Sequence, residues 1–162
     1  MKKIFLLSLI ILPICLFATI YFLDKVSFLC PIEYKSDIVI RCDSMGDGFF
    51  SASRNGNRRH AGIDLLAQAG TPVRASRLGI VTAASQNRGM GKYVTIKHLQ
   101  GLTTIYGHLS QISVRKNSFV RQGDIIGMVG KTGNANSRSI LPHLHFEVRK
   151  DGVPVDPLPY LE

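Results

Sequence analysis

Alternation of apolar and polar residues is the clearest pattern in the C-terminal half of the chain, and it predicts short β-strands. In the run 142–149, every second residue is apolar and the residues between them are polar. One predicted face carries Leu144, Phe146 and Val148, and the other carries His143, His145 and Glu147. Because residues two apart project on the same side of a strand, the two imidazoles should lie side by side.

Other short runs of the same kind are separated by turns that contain glycine. They occupy residues 71–75, 79–84, 93–98, 102–109 and 125–129. No long segment with helical periodicity interrupts them. The pattern therefore predicts an all-β domain built mainly from antiparallel sheet.

The N-terminus has a different pattern. After Lys2 and Lys3, residues 4–23 carry no charge, and at about 1.5 Å per residue they match a bilayer core of roughly 30 Å. Ala18 follows bulky residues, which fits the cleavage site of a signal peptide poorly. We therefore expect one transmembrane helix, with a cleaved signal segment as the alternative. The chain then divides into a membrane anchor or signal segment at 1–23, a connector at 24–41 and a domain at 42–162.

Charge and cysteine content narrow the possible partners. The formal net charge is +9, which favours anionic partners such as lipid headgroups or cell-wall polymers. No run of basic residues is interleaved with aromatic ones, so we expect no nucleic-acid partner. If the domain is exported, Cys30 and Cys42 enter an oxidising compartment, where they either form a disulfide or remain two thiols.

A second histidine motif adds candidate chemistry. His60 and Asp64 lie four residues apart with Gly62 between them, and an extended chain places both side chains on one face. Zinc accepts imidazole nitrogen and carboxylate oxygen, and a catalytic zinc site uses three protein ligands plus water. This motif and the downstream histidine pair supply candidates for all three ligands. Read separately, each motif is also compatible with ordinary polar surface residues.

Together these motifs resemble the M23, or lysostaphin/LytM-like, zinc metallopeptidases that cut peptide bonds in bacterial cell walls. The resemblance covers roughly the last two-thirds of the chain. It is carried by residues 48–54, 60–73 (HAGIDLLAQAGTPV), 106–109 (YGHL), 123–127 (GDIIG) and 142–148 (PHLHFEV). It implies an antiparallel β fold with an open groove.

The resemblance also implies a role for each candidate residue. His60, Asp64 and His145 would bind one Zn²⁺ per chain, and His143 would be the general base. His108 would lie across the groove and steady the oxyanion or the water. Strand periodicity places the side chain of His108 on the same face as Thr104 and Tyr106.

Five other polar residues receive weaker assignments or none. Glu147 could contact His145 from outside the ligand set, but a surface position is favoured. Arg54, Arg58 and Arg59 are expected in a solvated loop and are left out of the site. His98 matches no motif and is assigned no role.

The chain departs from the family pattern at residues 133–142, which are longer than the usual link before the histidine pair. We expect this segment to form one wall of the substrate groove and to affect cleavage specificity. Ser110 follows His108, but no nucleophile elbow is present, which disfavours a serine hydrolase.

The function implied by the resemblance is zinc-dependent hydrolysis of peptidoglycan cross-links. The substrate would be the peptidoglycan peptide, and the domain would lie on the exported side of the inner membrane, or be secreted if the N-terminal segment is cleaved. A non-catalytic LytM-like module that binds the wall or activates other hydrolases is the alternative. Because all five implied site residues are present, catalysis is favoured.

Overall fold

The fold was determined from a computed structural model, which describes residues 28–54 and 56–161. The predicted anchor at 4–23 lies outside the described residues, as does the alternative cleavage region. Among the described residues, no helix has the length and apolar character needed to cross a bilayer.

The described part of the chain consists of short strands and two single-turn 3₁₀ helices. The helices are η1 (Gly133–Ala135) and η2 (Leu158–Tyr160). The strands are β1 (Cys42–Asp43), β2 (Gly46–Asp47), β3 (Ile63–Leu66), β4 (Pro72–Arg74), β5 (Gly79–Asn87), β6 (Gly91–Lys97), β7 (Leu102–Leu109), β8 (Gln111–Ile112), β9 (Phe119–Val120), β10 (Ile125–Met128), β11 (His143–Lys150) and β12 (Val153–Val155).

A seven-stranded antiparallel sheet forms the body of the domain; six of its strands follow the order β12-β11-β7-β6-β5-β9, and the seventh is β3. Strand β3 also pairs with β11 and occupies the same edge as β12, nearer the start of β11. A smaller antiparallel sheet contains β4, β10 and β8, and β1 pairs with β2 in a hairpin. The prediction of a mainly antiparallel β domain is confirmed.

The core lies on the apolar face of the large sheet, as the alternation in β11 predicted. Leu144, Phe146 and Val148 are fully buried there, and the ring of Tyr106 on the neighbouring strand packs against Phe146 with centroids 5.3 Å apart. The opposite face of β11 is also covered, because His143, His145 and Glu147 are all buried. The site is therefore built on a strand with little freedom to move.

The segment before Cys42 packs on the sheet from Phe28 onward. The side chains of Phe28 and Ile32 are buried in the core, and the amide of Phe28 donates to the carbonyl of Tyr160. Further along, Ile40 forms an antiparallel bridge with Leu65 of β3. The packed fold therefore begins well before Cys42, since residues 28–41 supply core side chains.

Cys30 and Cys42 are separate thiols, so the disulfide considered from the sequence is absent. Cys30 is half-buried against the core, and burial raises the pKa of its thiol. Cys42 is exposed in the β1–β2 hairpin, opposite Asp47. The two thiols therefore lie in different surroundings: Cys30 packs against the core, and Cys42 lies on a surface hairpin.

Candidate metal centre

Strand register brings the two sequence motifs together. In the β3–β11 pair Asp64 lies directly opposite His145, and in the β11–β7 pair His145 lies opposite Gly107. His60 precedes β3 by one turn. A Cβ at Gly62 would lie 2.2 Å from the carbonyl oxygen of Phe146, so only glycine lets this turn approach β11 so closely. The β11 backbone therefore fills the space beside Gly62.

Three predicted ligands form a compact triangle. His60 Nε2 is 3.1 Å from Asp64 Oδ1 and 3.0 Å from His145 Nδ1, and His145 Nδ1 is 2.9 Å from Asp64 Oδ1. Ligand atoms about 2.0–2.1 Å from a tetrahedral zinc ion lie roughly 3.3 Å apart. The triangle therefore fits zinc after a small outward movement of each side chain, and its mix of two imidazoles and one carboxylate is typical of catalytic zinc.

Hydrogen bonds outside the triangle orient both ligand imidazoles. His60 Nδ1 donates to the carbonyl of Phe49 at 2.9 Å, and His145 Nε2 donates to Glu147 Oε1 at 3.0 Å. Each ring therefore presents its other nitrogen to the triangle. The preferred surface position for Glu147 is wrong: the residue is only 2% exposed, and its carboxylate also accepts a hydrogen bond from Arg149.

Two arginines hold the second oxygen of Asp64. Arg41 Nη2 lies 2.9 Å from Asp64 Oδ2, and Arg54 Nη2 lies 3.3 Å from the same atom. Arg54 was expected in a solvated loop, but Ser53 forms an antiparallel bridge with Arg59 and the guanidinium of Arg54 lies at the site. Arg41 belongs to no motif, and no sequence signal marks it, because only the tertiary fold brings it to Asp64.

These contacts change the protonation of the ligands. Burial raises the pKa of Asp64, but hydrogen bonds from His145 and His60 outweigh burial and hold this pKa far below its usual value. Burial lowers the pKa of His145, yet hydrogen bonds to Asp64 and Glu147 raise it overall to about 9. The close contact between His145 Nδ1 and Asp64 Oδ1 is the one that a bound metal cation would replace.

His108 and His143 form a second imidazole pair beside the triangle, with ring centroids 5.0 Å apart. His108 Nδ1 donates to the carbonyl of Thr132 at 2.9 Å, and His143 Nδ1 donates to that of Leu141 at 2.7 Å. With Nδ1 protonated, each neutral ring has Nε2 as a hydrogen-bond acceptor. Burial and the nearby charges of His145 and His143 lower the pKa of His108 to about 3. Burial also lowers the pKa of His143, although the negative charge of Asp64 acts in the opposite direction.

Backbone geometry at His108 corrects the strand-periodicity prediction. The pairing of β6 with β7 shifts register between Lys92 and Val94, and His108 adopts a left-handed conformation with φ +61°. This bulge turns the imidazole away from the core face of Tyr106 and onto the face of His145, with the two imidazole centroids 5.7 Å apart. Bulges commonly re-aim a side chain in this way next to active sites.

All five predicted site residues line one groove of about 720 Å³. Asn134, Ala135 and Ile140 form part of its lining, which agrees with the expectation that the 133–142 segment contributes a wall. Arg41, Arg54, Arg58 and Arg59 also face it. His98 lies elsewhere: it is buried, and its ring nitrogens contact Leu78 O and Thr104 Oγ1.

Comparison with known proteins agrees with this geometry. The profile of the family described as Peptidase family M23 matches residues 58–157. The chain belongs to peptidase family M23. All five predicted site residues fall within the matched region, whereas Arg41 and Arg54 precede it.

Among curated M23 relatives, the DD-carboxypeptidase/endopeptidase Mpg of Neisseria meningitidis serogroup B is 48% identical over 101 residues. The alignment covers 62% of this chain and 22% of Mpg, so the chain spans about a fifth of the length of that relative.

Solved structures extend the likeness to three dimensions. A zinc-containing peptidase from Vibrio cholerae superimposes with a TM-score of 0.68 at 29% identity, covering 83% of this chain and 40% of that chain. The structure described as the SpoIIQ–SpoIIIAH pore-forming complex superimposes with a TM-score of 0.67 at 26% identity, covering 85% and 93%. The same fold therefore occurs both in a zinc-containing peptidase and in a chain of a pore-forming complex.

Proposed function

We propose that this M23 protein is a zinc-dependent endopeptidase that hydrolyses the peptide cross-links of bacterial peptidoglycan. The observation that carries the proposal is the juxtaposition of the ligand triangle with two neutral imidazoles on one groove. The name of the Mpg relative, a DD-carboxypeptidase/endopeptidase, supports the same class of substrate.

Zinc would be held by His60 Nε2, Asp64 Oδ1 and His145 Nδ1, the three atoms of the triangle. A zinc ion at such a site supplies Lewis acidity that polarises a peptide carbonyl and acidifies water. Outside the triangle, Glu147 and Phe49 hold the two imidazole ligands in the required orientation. His60, His145 and Glu147 are buried, so bulk water does not compete for these hydrogen bonds.

His143 is the base in this proposal. Its Nδ1 proton is engaged by Leu141, so Nε2 is free to accept a proton from the attacking water. This nitrogen is 3.8 Å from Asp64 Oδ1, which places it at the edge of the triangle. The protonated imidazole then gives its proton to the leaving amine.

His108 has a related role. Because its Nδ1–H is donated to Thr132, its Nε2 accepts and does not donate a hydrogen bond. Of the two roles implied by the family, orientation of the water is therefore favoured over direct stabilisation of an oxyanion. An oxyanion contact would need a protonated His108, and burial opposes protonation.

A non-catalytic module is the second candidate, and its support is the likeness to a chain of the SpoIIQ–SpoIIIAH complex. The two candidates differ in one measurement. A variant that lacks residues 1–23 is incubated with purified peptidoglycan, and the released fragments are identified by mass. We expect cleaved cross-links, loss of cleavage with a chelator and recovery with zinc. Zinc-loaded protein that leaves every cross-link type intact would favour the non-catalytic module.

We also propose that residues 4–23 anchor the protein in the inner membrane with the domain exported. Leucine, isoleucine and phenylalanine each contribute about −0.3 to −0.6 kcal/mol to helix insertion, whereas a central charge costs about 2.5–3.5 kcal/mol. The segment is rich in the former and has none of the latter. Membrane fractionation with N-terminal sequencing tests this, and a soluble exported product that begins near residue 19 or later would contradict it.

A further inference from the structure

Arg41 is a charged residue that is buried in the fold, where the loss of hydration must be offset by ion pairs and hydrogen bonds. It is 4% exposed, and its Nε has no hydrogen-bond partner among the described residues. A buried donor without a partner is destabilising, and a buried ion pair is often no more stable than apolar packing. The placement of Arg41 is therefore poorly explained by stability alone.

The guanidinium of Arg41 joins two carboxylates. Nη2 donates to Asp64 Oδ2 at 2.9 Å, on the oxygen that faces away from the ligand triangle. Nη1 donates to Asp43 Oδ1 at 2.5 Å. A planar guanidinium has two parallel donors, and an ammonium group cannot hold two carboxylates in this fixed arrangement.

From Asp43 the connection continues to the base. Asp43 Oδ2 accepts from the amide of Leu141 at 3.1 Å, and the carbonyl of Leu141 accepts from His143 Nδ1 at 2.7 Å. A continuous series of contacts therefore runs from the ligand Asp64 through Arg41, Asp43 and Leu141 to His143. It connects a metal ligand to the proposed base by hydrogen bonds within the protein.

Backbone contacts fix the start of this series. The amide of Arg41 donates to the Asp64 carbonyl, the amide of Asp64 to the Gly48 carbonyl, and the amide of Gly48 to the Arg41 carbonyl. A Cβ at Gly48 would lie 2.6 Å from Arg41 O and 2.9 Å from Asp64 Cβ, so residue 48 must be glycine for the hairpin to approach β3 so closely. Residues 39–48, which we name the clamp hairpin, therefore hold Asp64 by main chain and side chain together.

We propose that Arg41 and Asp43 are positioning residues, which set the orientation of the metal ligand Asp64 and its distance from the base His143. The inference rests on the proposed function, because it assumes that Asp64 binds zinc and that His143 accepts a proton. It assigns a role to the clamp hairpin, which lies before the region matched by the family profile.

Zinc affinity of the full-length protein in detergent micelles tests the Arg41 contact, measured by competition with a chromophoric chelator. We expect Arg41→Gln to weaken zinc binding 10–100-fold, the range typical for loss of a partner that orients a ligand. Arg41→Lys should be intermediate, because one ammonium group can hold Asp64 or Asp43. If Arg41 acted only as a positive charge, its removal would tighten zinc binding, so unchanged or tighter binding overturns the proposal.

Ile40→Ala is the matched control. Ile40 belongs to the same hairpin and packs against the core, but its side chain makes no hydrogen bond with Asp64. We expect lower stability with zinc affinity within about threefold of wild type. An equal loss of affinity in Ile40→Ala and Arg41→Gln would attribute the effect to hairpin integrity and overturn the role of Arg41.

Asp43→Ala tests the connection to the base. Its zinc content should stay near one per chain, kcat should fall at least tenfold with KM little changed, and imidazole ¹⁵N spectra should show His143 losing its single Nδ1–H tautomer. Unchanged kcat and an unchanged tautomer overturn the connection. A wild-type protein that binds no zinc would instead refute the proposed function. A wild-type protein that binds zinc but cuts no cross-link would refute catalysis. In that case the zinc affinities of the Arg41 variants would still decide the role of Arg41.

Discussion

Glu147 Oε1 accepts a hydrogen bond from His145 Nε2 at 3.0 Å, on the side of the imidazole opposite Asp64. A carboxylate in this position fixes the tautomer of a metal-binding histidine and increases its basicity. Glu147→Gln keeps the shape but weakens the acceptor, so we expect zinc affinity to fall about 10–100-fold. Chelator competition measures this. The exposed Glu33→Gln makes the same charge change away from the site and should leave affinity unchanged.

Removal of a ligand should abolish zinc binding. Asp64→Ala and His145→Ala each leave two of the three ligand atoms, too few for a catalytic zinc site. Elemental analysis should find about one zinc per chain in the wild type and little in either variant. Asp37→Ala, an exposed acidic residue, is the control. Full zinc content in either ligand variant would refute the ligand assignment.

His143→Ala should separate metal binding from catalysis. The imidazole is not part of the triangle, so we expect zinc content and folding to be retained. General-base catalysis is typically worth 10²–10⁴-fold, and peptidoglycan cleavage should fall by about that factor. Wild-type activity in this variant would remove His143 from the mechanism.

The left-handed backbone at His108 predicts an unusual order of stabilities. Alanine is normally better than glycine in a strand, by about 0.5–1 kcal/mol. At φ +61° the order should reverse, with His108→Gly more stable than His108→Ala by about 1 kcal/mol. Denaturant unfolding measures the difference. Ile105, in the regular part of β7, should show the normal order, and the same order at both positions would argue against the bulge.

Burial of Phe28 predicts that the segment before Cys42 contributes to stability. Phe28 has no exposed surface, and its ring packs against His98 and Tyr160 with centroids 5.6 and 5.5 Å apart. Phe28→Ala should cost about 3–5 kcal/mol of unfolding free energy. The neighbouring Leu29 is 37% exposed, and Leu29→Ala should cost about 1 kcal/mol or less. Similar losses for both would show that Phe28 is not a core residue.

Local alternation in the sequence was sufficient for the longer strands β5, β6, β7 and β11, but not for short strands such as β1, β2 and β12. Alternation in 142–149 correctly separated Leu144, Phe146 and Val148 from the two histidines, because side-chain direction in a regular strand depends only on residue parity. The resemblance to M23 peptidases, carried by the His60–Asp64 motif and the histidine pair, implied the three side chains that the fold brings into one triangle.

Tertiary structure alone decided the remaining features. The period-two prediction failed at His108, because a bulge depends on pairing with β6 and changes the parity of the residues that follow. Glu147 was misplaced because strand parity does not show that the polar face of β11 is covered. Arg54 was misplaced because its contact with Asp64, 10 residues away, forms only in the folded protein. Arg41 carries no local signal at all: its role arises from a contact with Asp64, 23 residues away, that exists only when the clamp hairpin packs beside β3.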